Sequence, residues 1–148
     1  MSNYPLTLFY DGGCAICRFD IANLSAANRE GLLQFVDITA PGFDPGVHGR
    51  TLEDFHARMH AQKPDGSFVT GLEVFRLATR AVGAGWIAAP SGWRLLKGPM
   101  DRVYDLFARH RTGLSARFGF IFDTLLAWQA SRRASACGRG SCSLPTQD

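Results

Sequence analysis

The chain has 148 residues, 46% of them apolar and 20% charged, with a formal net charge of +3. Those values describe one ordinary globular domain, long enough to bury a proper core. The basic residues are scattered, with no stripe interleaved with stacking aromatics, which argues against nucleic-acid binding.

The first predicted element is a buried strand over Leu6-Thr7-Leu8-Phe9-Tyr10. Asp11-Gly12-Gly13 follows, and then Cys17, Ile21 and Leu24 fall at i, i+4 and i+7, one face of a helix over residues 14–28 that Gly31 stops. The paired glycines allow a tight strand-to-helix turn with unrestricted dihedrals. Residues 33–38 read as a second strand, parallel to the first through the helical crossover. Residues 39–50 hold two prolines and three glycines and form a loop, either lying over the site or making a plain surface excursion.

Thr51 reads as the N-cap of a short helix with Asp54 at its third position. Residues 58–62 and 67–70 flank the turn Pro64-Asp65-Gly66 and read as an antiparallel pair. A helix over 72–82 carries Leu72, Phe75, Thr79 and Val82 on one face, and Gly83-Ala84-Gly85 ends it. Residues 86–99, broken by two prolines, read as short helical pieces. A helix over 100–110 places Met100, Val103, Tyr104 and Phe107 on one stripe. A separate helix over 114–131 has a strongly apolar face of Leu114, Phe118, Ile121, Phe122, Leu125 and Trp128. It packs on the domain or docks to a partner or a membrane surface. Residues 132–148 read as a flexible Gly- and Ser-rich tail holding Cys137 and Cys142.

The turn after the first strand is where chemistry concentrates. Cys14 lies at the start of a helix, where unpaired N–H groups and the dipole favour a thiolate. Such a position lowers a cysteine pKa from about 8.5 to between roughly 3.5 and 7.5. Cys17, one turn on, can close a disulfide onto it. A C-x-x-C also serves as half of a zinc site, but its strand-to-helix setting favours redox chemistry. On this reading Cys14 is the more exposed nucleophile and Cys17 the sheltered resolving thiol. Asp11 either exchanges a proton with a thiol or braces the turn through backbone N–H groups. Tyr10, Gly12, Gly13 and Arg18 complete the candidate site, Arg18 either offsetting the Asp11 charge or simply solvated. Cys137 and Cys142 are a second redox pair, extra metal ligands, or idle thiols. His48, His56, His60 and His110 are too scattered to define a metal site.

The run Tyr10-Asp11-Gly12-x-Cys14-x-x-Cys17 resembles the signature of the DCC family of thiol-disulfide oxidoreductases, named for an Asp and two Cys, here Asp11, Cys14 and Cys17. Asp65-Gly66, Gly71, and Tyr104 with Ala108-Arg109-x-Arg111 extend the resemblance, which covers roughly residues 5–113. It implies a thioredoxin-like α/β fold, which two parallel and two antiparallel strands suit: three layers, a small mixed four-stranded sheet and additional C-terminal helices. The division expected is a thioredoxin-like domain over 1–113, an amphipathic helix over 114–131 and a tail over 132–148.

One departure stands out. Thioredoxin-type enzymes hold substrate backbone with a cis-proline just before a sheet strand. Here Phe55-His56-Ala57 precedes the third strand, with no proline.

The function expected is thiol–disulfide exchange with a disulfide-bearing protein or small thiol, carried by the Cys14–Cys17 pair without an organic cofactor. The alternatives are a metal-binding or redox-sensing protein whose thiolates hold zinc or copper, and a docking module for a membrane or protein partner, including a membrane protein. Met1–Pro5 shows no positive or apolar leader pattern, and no apolar run is long enough to cross a bilayer, so a cytoplasmic location is expected. Four cysteines there are catalytic, redox-sensing or metal-binding rather than a disulfide framework.

Overall fold

A computed structural model describes residues 3–88, 90, 93 and 96–137. Its four strands are β1 (Leu6–Tyr10), β2 (Leu33–Asp37), β3 (His60–Gln62) and β4 (Phe68–Thr70). The α-helices are α1 (Ala15–Ala27), α2 (Leu52–Ala57), α3 (Leu72–Ala81), α4 (Gly85–Ala88) and α5 (Lys97–Cys137). The sheet runs β2-β1-β3-β4, with β1 parallel to β2 and antiparallel to β3, and β3 antiparallel to β4. This is a thioredoxin-like α/β fold with a small mixed sheet.

Alternation along β1 sets the layers, because successive strand residues point to opposite faces. Leu6 and Leu8 are fully buried and meet Ile21 of α1 and Val74, Leu77 and Ala78 of α3. Phe9 points the other way, into a cluster with Ile38 and Phe55 of α2. The loop over 39–50 belongs to this second face. It winds through one 3-10 turn at Pro45–His48, and Phe43 and His48 pack their rings within 6.1 Å of Phe9. The loop therefore covers the face of the sheet and not the cysteines. Thr51 and Asp54 form a reciprocal capping box that starts α2. Gly66 closes the β3–β4 turn by donating its N–H to the Lys63 carbonyl at 2.9 Å.

The C-terminal region departs from expectation. The two helices expected over 100–110 and 114–131 are one helix of 41 residues, which also takes in residues expected in a flexible tail. Pro99 lies in its first turn, where a proline is tolerated. Gly113 costs an exposed helix only about 1 kcal/mol, too little to interrupt a continuing apolar repeat. The boundary drawn at 113/114 therefore falls inside α5.

Three ion pairs fasten α5 along its length. Arg76, buried in α3, meets Asp101 at 3.4 Å and Glu73 at 3.0 Å. Arg58 meets Asp105 at 3.0 Å, and Arg18 meets Asp123 at 2.7 Å.

Candidate active site

The strand-to-helix turn is held by two carboxylates. Asp11, buried at the end of β1, accepts the Gly13 N–H through Oδ1 at 2.9 Å, and its carbonyl accepts the Cys14 N–H at 3.1 Å. Its other carboxylate oxygen lies 3.4 Å from Nδ1 of His56. Bracing the turn is thus a role Asp11 fills in the structure. Asp37, at the end of β2, accepts the Gly12 N–H at 3.0 Å, the Thr39 N–H at 2.8 Å and the Thr39 hydroxyl at 2.7 Å. Burial pushes the Asp37 pKa up, but these hydrogen bonds outweigh it and hold the carboxyl below its ordinary value.

The glycines serve a different purpose from the one expected. Neither Gly12 nor Gly13 has positive φ. Gly12 is required for space, since a Cβ there would overlap the Asp37 carboxylate. Gly12→Ala is expected to destabilise the fold by about 2–3 kcal/mol. Urea denaturation of the single variants and of Gly12→Ala with Asp37→Ala checks this, because relieving one clash twice must give a loss smaller than the sum of the two.

Cys14 is the N-cap of α1, and its Sγ accepts the Cys17 N–H at 3.3 Å. The two residues are dithiol rather than disulfide. The exposure expected for them is reversed: Cys14 is only 3% exposed, while Cys17 is partly exposed. The reason is α5. Ser115 accepts the Ala15 N–H at 2.9 Å, and a Cβ on Gly119 would sit 3.3 Å from the Ala15 methyl, so α5 lies close over the start of α1. Phe19 and Phe122 pack edge to face at 5.6 Å. Arg18, part-exposed, is not aimed at Asp11: it donates to the Gly12 carbonyl at 2.9 Å and pairs with Asp123.

The two sulfurs line different spaces. Cys14 borders an open groove with Gly13, Arg18, Ser115, Gly119 and Asp123. Cys17 borders a narrower, mostly apolar cavity of about 30 Å³, enough for a water or two, together with Tyr10, Asp11, Asp20, Met59 and Tyr104. Tyr10 has its phenol pKa raised by burial and then by the Asp37 charge.

Asp20 is the residue that sequence reading missed. Burial, and then the charge of Cys14, raise its pKa from 3.8 to about 6. The available signal was a carboxylate three residues after Cys17, on the apolar face that Cys17, Ile21 and Leu24 define.

Where a thioredoxin-type enzyme places its cis-proline, this chain has Met59 immediately before β3. Its N–H donates to the Tyr104 hydroxyl at 3.2 Å and its carbonyl accepts the Gly71 N–H at 2.9 Å. Gly71 has φ +69°, and a Cβ there would press on the Tyr104 ring at 3.4 Å. Tyr104 and Gly71 therefore shape the segment facing the cysteines. Tyr104→Phe is expected to cost about 1–2 kcal/mol, the loss from a buried N–H without its acceptor, measurable as a lower urea midpoint.

Among the described residues no group of three or more His, Cys, Asp or Glu is placed to hold a metal ion. His48 and His60 lie in the aromatic cluster around Phe55. Cys137 is the last residue of α5, and Cys142 lies outside the described residues.

Residues 8–117 match the model of the DCC1-like thiol-disulfide oxidoreductase family. The chain belongs to this family. The match runs from β1 through the first half of α5, so it includes Asp11, Cys14, Cys17, Asp20, Tyr104 and Ser115 and stops before Gly119 and Asp123. A chloroplastic protein of Arabidopsis thaliana, itself described as uncharacterised, is 28% identical over 138 residues, or 92% of this chain. The chain spans 64% of the length of that curated relative. No solved structure matches the chain. The family is described as one of thiol-disulfide oxidoreductases, and no helix among the described residues is long and apolar enough to cross a membrane.

Proposed function

We propose that this DCC1-like chain exchanges two electrons with a disulfide or dithiol substrate through Cys14 and Cys17. The observation that carries the reading is a dithiol at a helix start, electrostatically linked to a part-buried carboxyl whose pKa is raised to about 6. A group titrating there can take and return protons near neutrality. The Cys14 thiolate attacks one substrate sulfur, forming a mixed disulfide and releasing the other sulfur as a thiolate. Cys17 then gives its proton to the Asp20 carboxylate, and its thiolate attacks the Cys14 sulfur. That step releases the second substrate thiolate and leaves a Cys14–Cys17 disulfide. Asp20 returns the proton to the departing thiolate. An external dithiol reductant restores the pair, and in the opposite direction the same steps oxidise a substrate dithiol.

The electrons reside on the two sulfurs, so the reading requires no organic cofactor. A disulfide-bearing protein or a small thiol is the partner, and the cytoplasm is the reducing compartment in which the dithiol form persists. The test is a redox titration with mass spectrometry of alkylated thiols. One reversible two-electron couple between roughly −180 and −270 mV is the expected result. Absence of a Cys14–Cys17 disulfide at every poise would defeat the reading. A shift of the couple on removing residues 137–148 would bring in Cys137 and Cys142.

A further inference from the structure

The outer face of α5 carries the strongest unused signal in the molecule. Val103, Leu114, Phe118, Ile121, Leu125 and Trp128 share one side of the helix, each between 36% and 63% exposed, and Phe107, 41% exposed, joins them while also lining the cavity beside Cys17. Isolated exposed apolar residues need no explanation, but a contiguous stripe of this length on one helix marks an interaction surface.

The charges along the helix say what covers it. Its acidic residues are Asp101, Asp105 and Asp123, and each is paired with an arginine of the domain: Arg76, Arg58 and Arg18. Arg102, Arg109, His110, Arg117 and Arg132 are exposed. Arg117 interrupts the apolar stripe itself, and Arg132 stacks over the Trp128 ring at 3.9 Å. The stripe is thus apolar, with Arg117 and Arg132 as cations within and beside it. A second copy of the same helix would bring like charges together. An anionic bilayer surface instead takes the apolar stripe at the acyl boundary and pairs the arginines with headgroups. Tryptophan beside arginine suits that depth, where an amphipathic ring sits at headgroup level. We infer that α5 lies along an anionic membrane surface, with the stripe from Val103 to Trp128 seated in the interface and the domain held above it. The placement is in the plane of the interface and does not cross it.

The test is flotation of the full reduced chain with vesicles of phosphatidylcholine alone or with about 30% phosphatidylglycerol, at ~50 and ~300 mM salt. Partitioning is expected to be at least about tenfold stronger on anionic vesicles at low salt. Phe118→Asp and Arg117→Glu should each weaken it by about tenfold or more. Arg29→Glu, an exposed reversal between α1 and β2, should leave it unchanged. The fluorescence blue shift on binding should shrink in Trp128→Phe. Circular dichroism melts of the variants report folding, and the lipid and salt comparison on the parent chain decides the matter even if a variant unfolds. Equal binding to neutral vesicles, no binding to anionic ones, or equal loss in Arg29→Glu would overturn the inference. So would a dimer in sedimentation velocity that Phe118→Asp dissociates, since a second copy would then cover the face.

Discussion

Replacing Cys14 with serine is expected to reduce disulfide turnover by more than roughly a thousandfold, because serine cannot form the mixed disulfide. Cys17→Ser should retain the first half-reaction and accumulate a Cys14–substrate mixed disulfide. Burial makes the order worth testing, because Cys17 is the more exposed residue. Cys14 is assigned the attack for two reasons. As the N-cap it accepts the Cys17 N–H, a bond that favours the thiolate, and it borders the open groove. Intact-mass measurement after mixing each variant with a model disulfide separates the orders. Trapping in Cys14→Ser and none in Cys17→Ser would reverse the assignment.

Asp20→Asn is expected to stabilise the fold by about 2–3 kcal/mol at pH 7–8 while slowing resolution by about a hundredfold. The Asp20 pKa is about 6 in the folded chain, against 3.8 for an ordinary Asp. Between those values the folded state binds the proton that the unfolded state has lost, so stability falls as pH rises. The penalty is absent below about pH 3.8, grows through the interval and is complete above about pH 6. Asparagine has nearly the same volume and no charge, so it removes the penalty. Urea midpoints of both proteins should therefore converge near pH 4 and separate above pH 6. A gap independent of pH would show that Asp20 is ionised at no unusual cost. In the kinetics, the limb near pH 6 should disappear from the rate profile of the variant.

Much of the site was legible because its determinants are local. The β1 apolar run, the C-x-x-C after a glycine turn, the capping box at Thr51 and the Pro64-Asp65-Gly66 turn each depend on neighbours within a few residues. What the sequence concealed is long-range. Gly12 reads as a flexible residue until Asp37, 25 positions away, occupies the space its side chain would take. Cys14 reads as exposed until Ser115 and Gly119 close over the start of α1. The continuity of α5 was hidden for another reason: Thr112-Gly113 lowers helix propensity locally, while packing and three ion pairs outside that window keep the helix intact. Asp20 needed only helical spacing to be noticed, and its perturbation needed the surrounding core.

Met59 is expected to limit how a peptide could pair with the chain. Pairing an incoming peptide as an extra strand requires a donor and an acceptor from the same residue, and here Tyr104 takes the first while Gly71 engages the second. An extended chain laid against this segment would gain little backbone adhesion. Discrimination then passes to the shape and charge of the groove beside Cys14, so the expected repertoire is narrow: compact thiols, or a sulfur carried at the tip of a protruding loop. The affinity of each would be tuned by side chains rather than by the generic peptide bond.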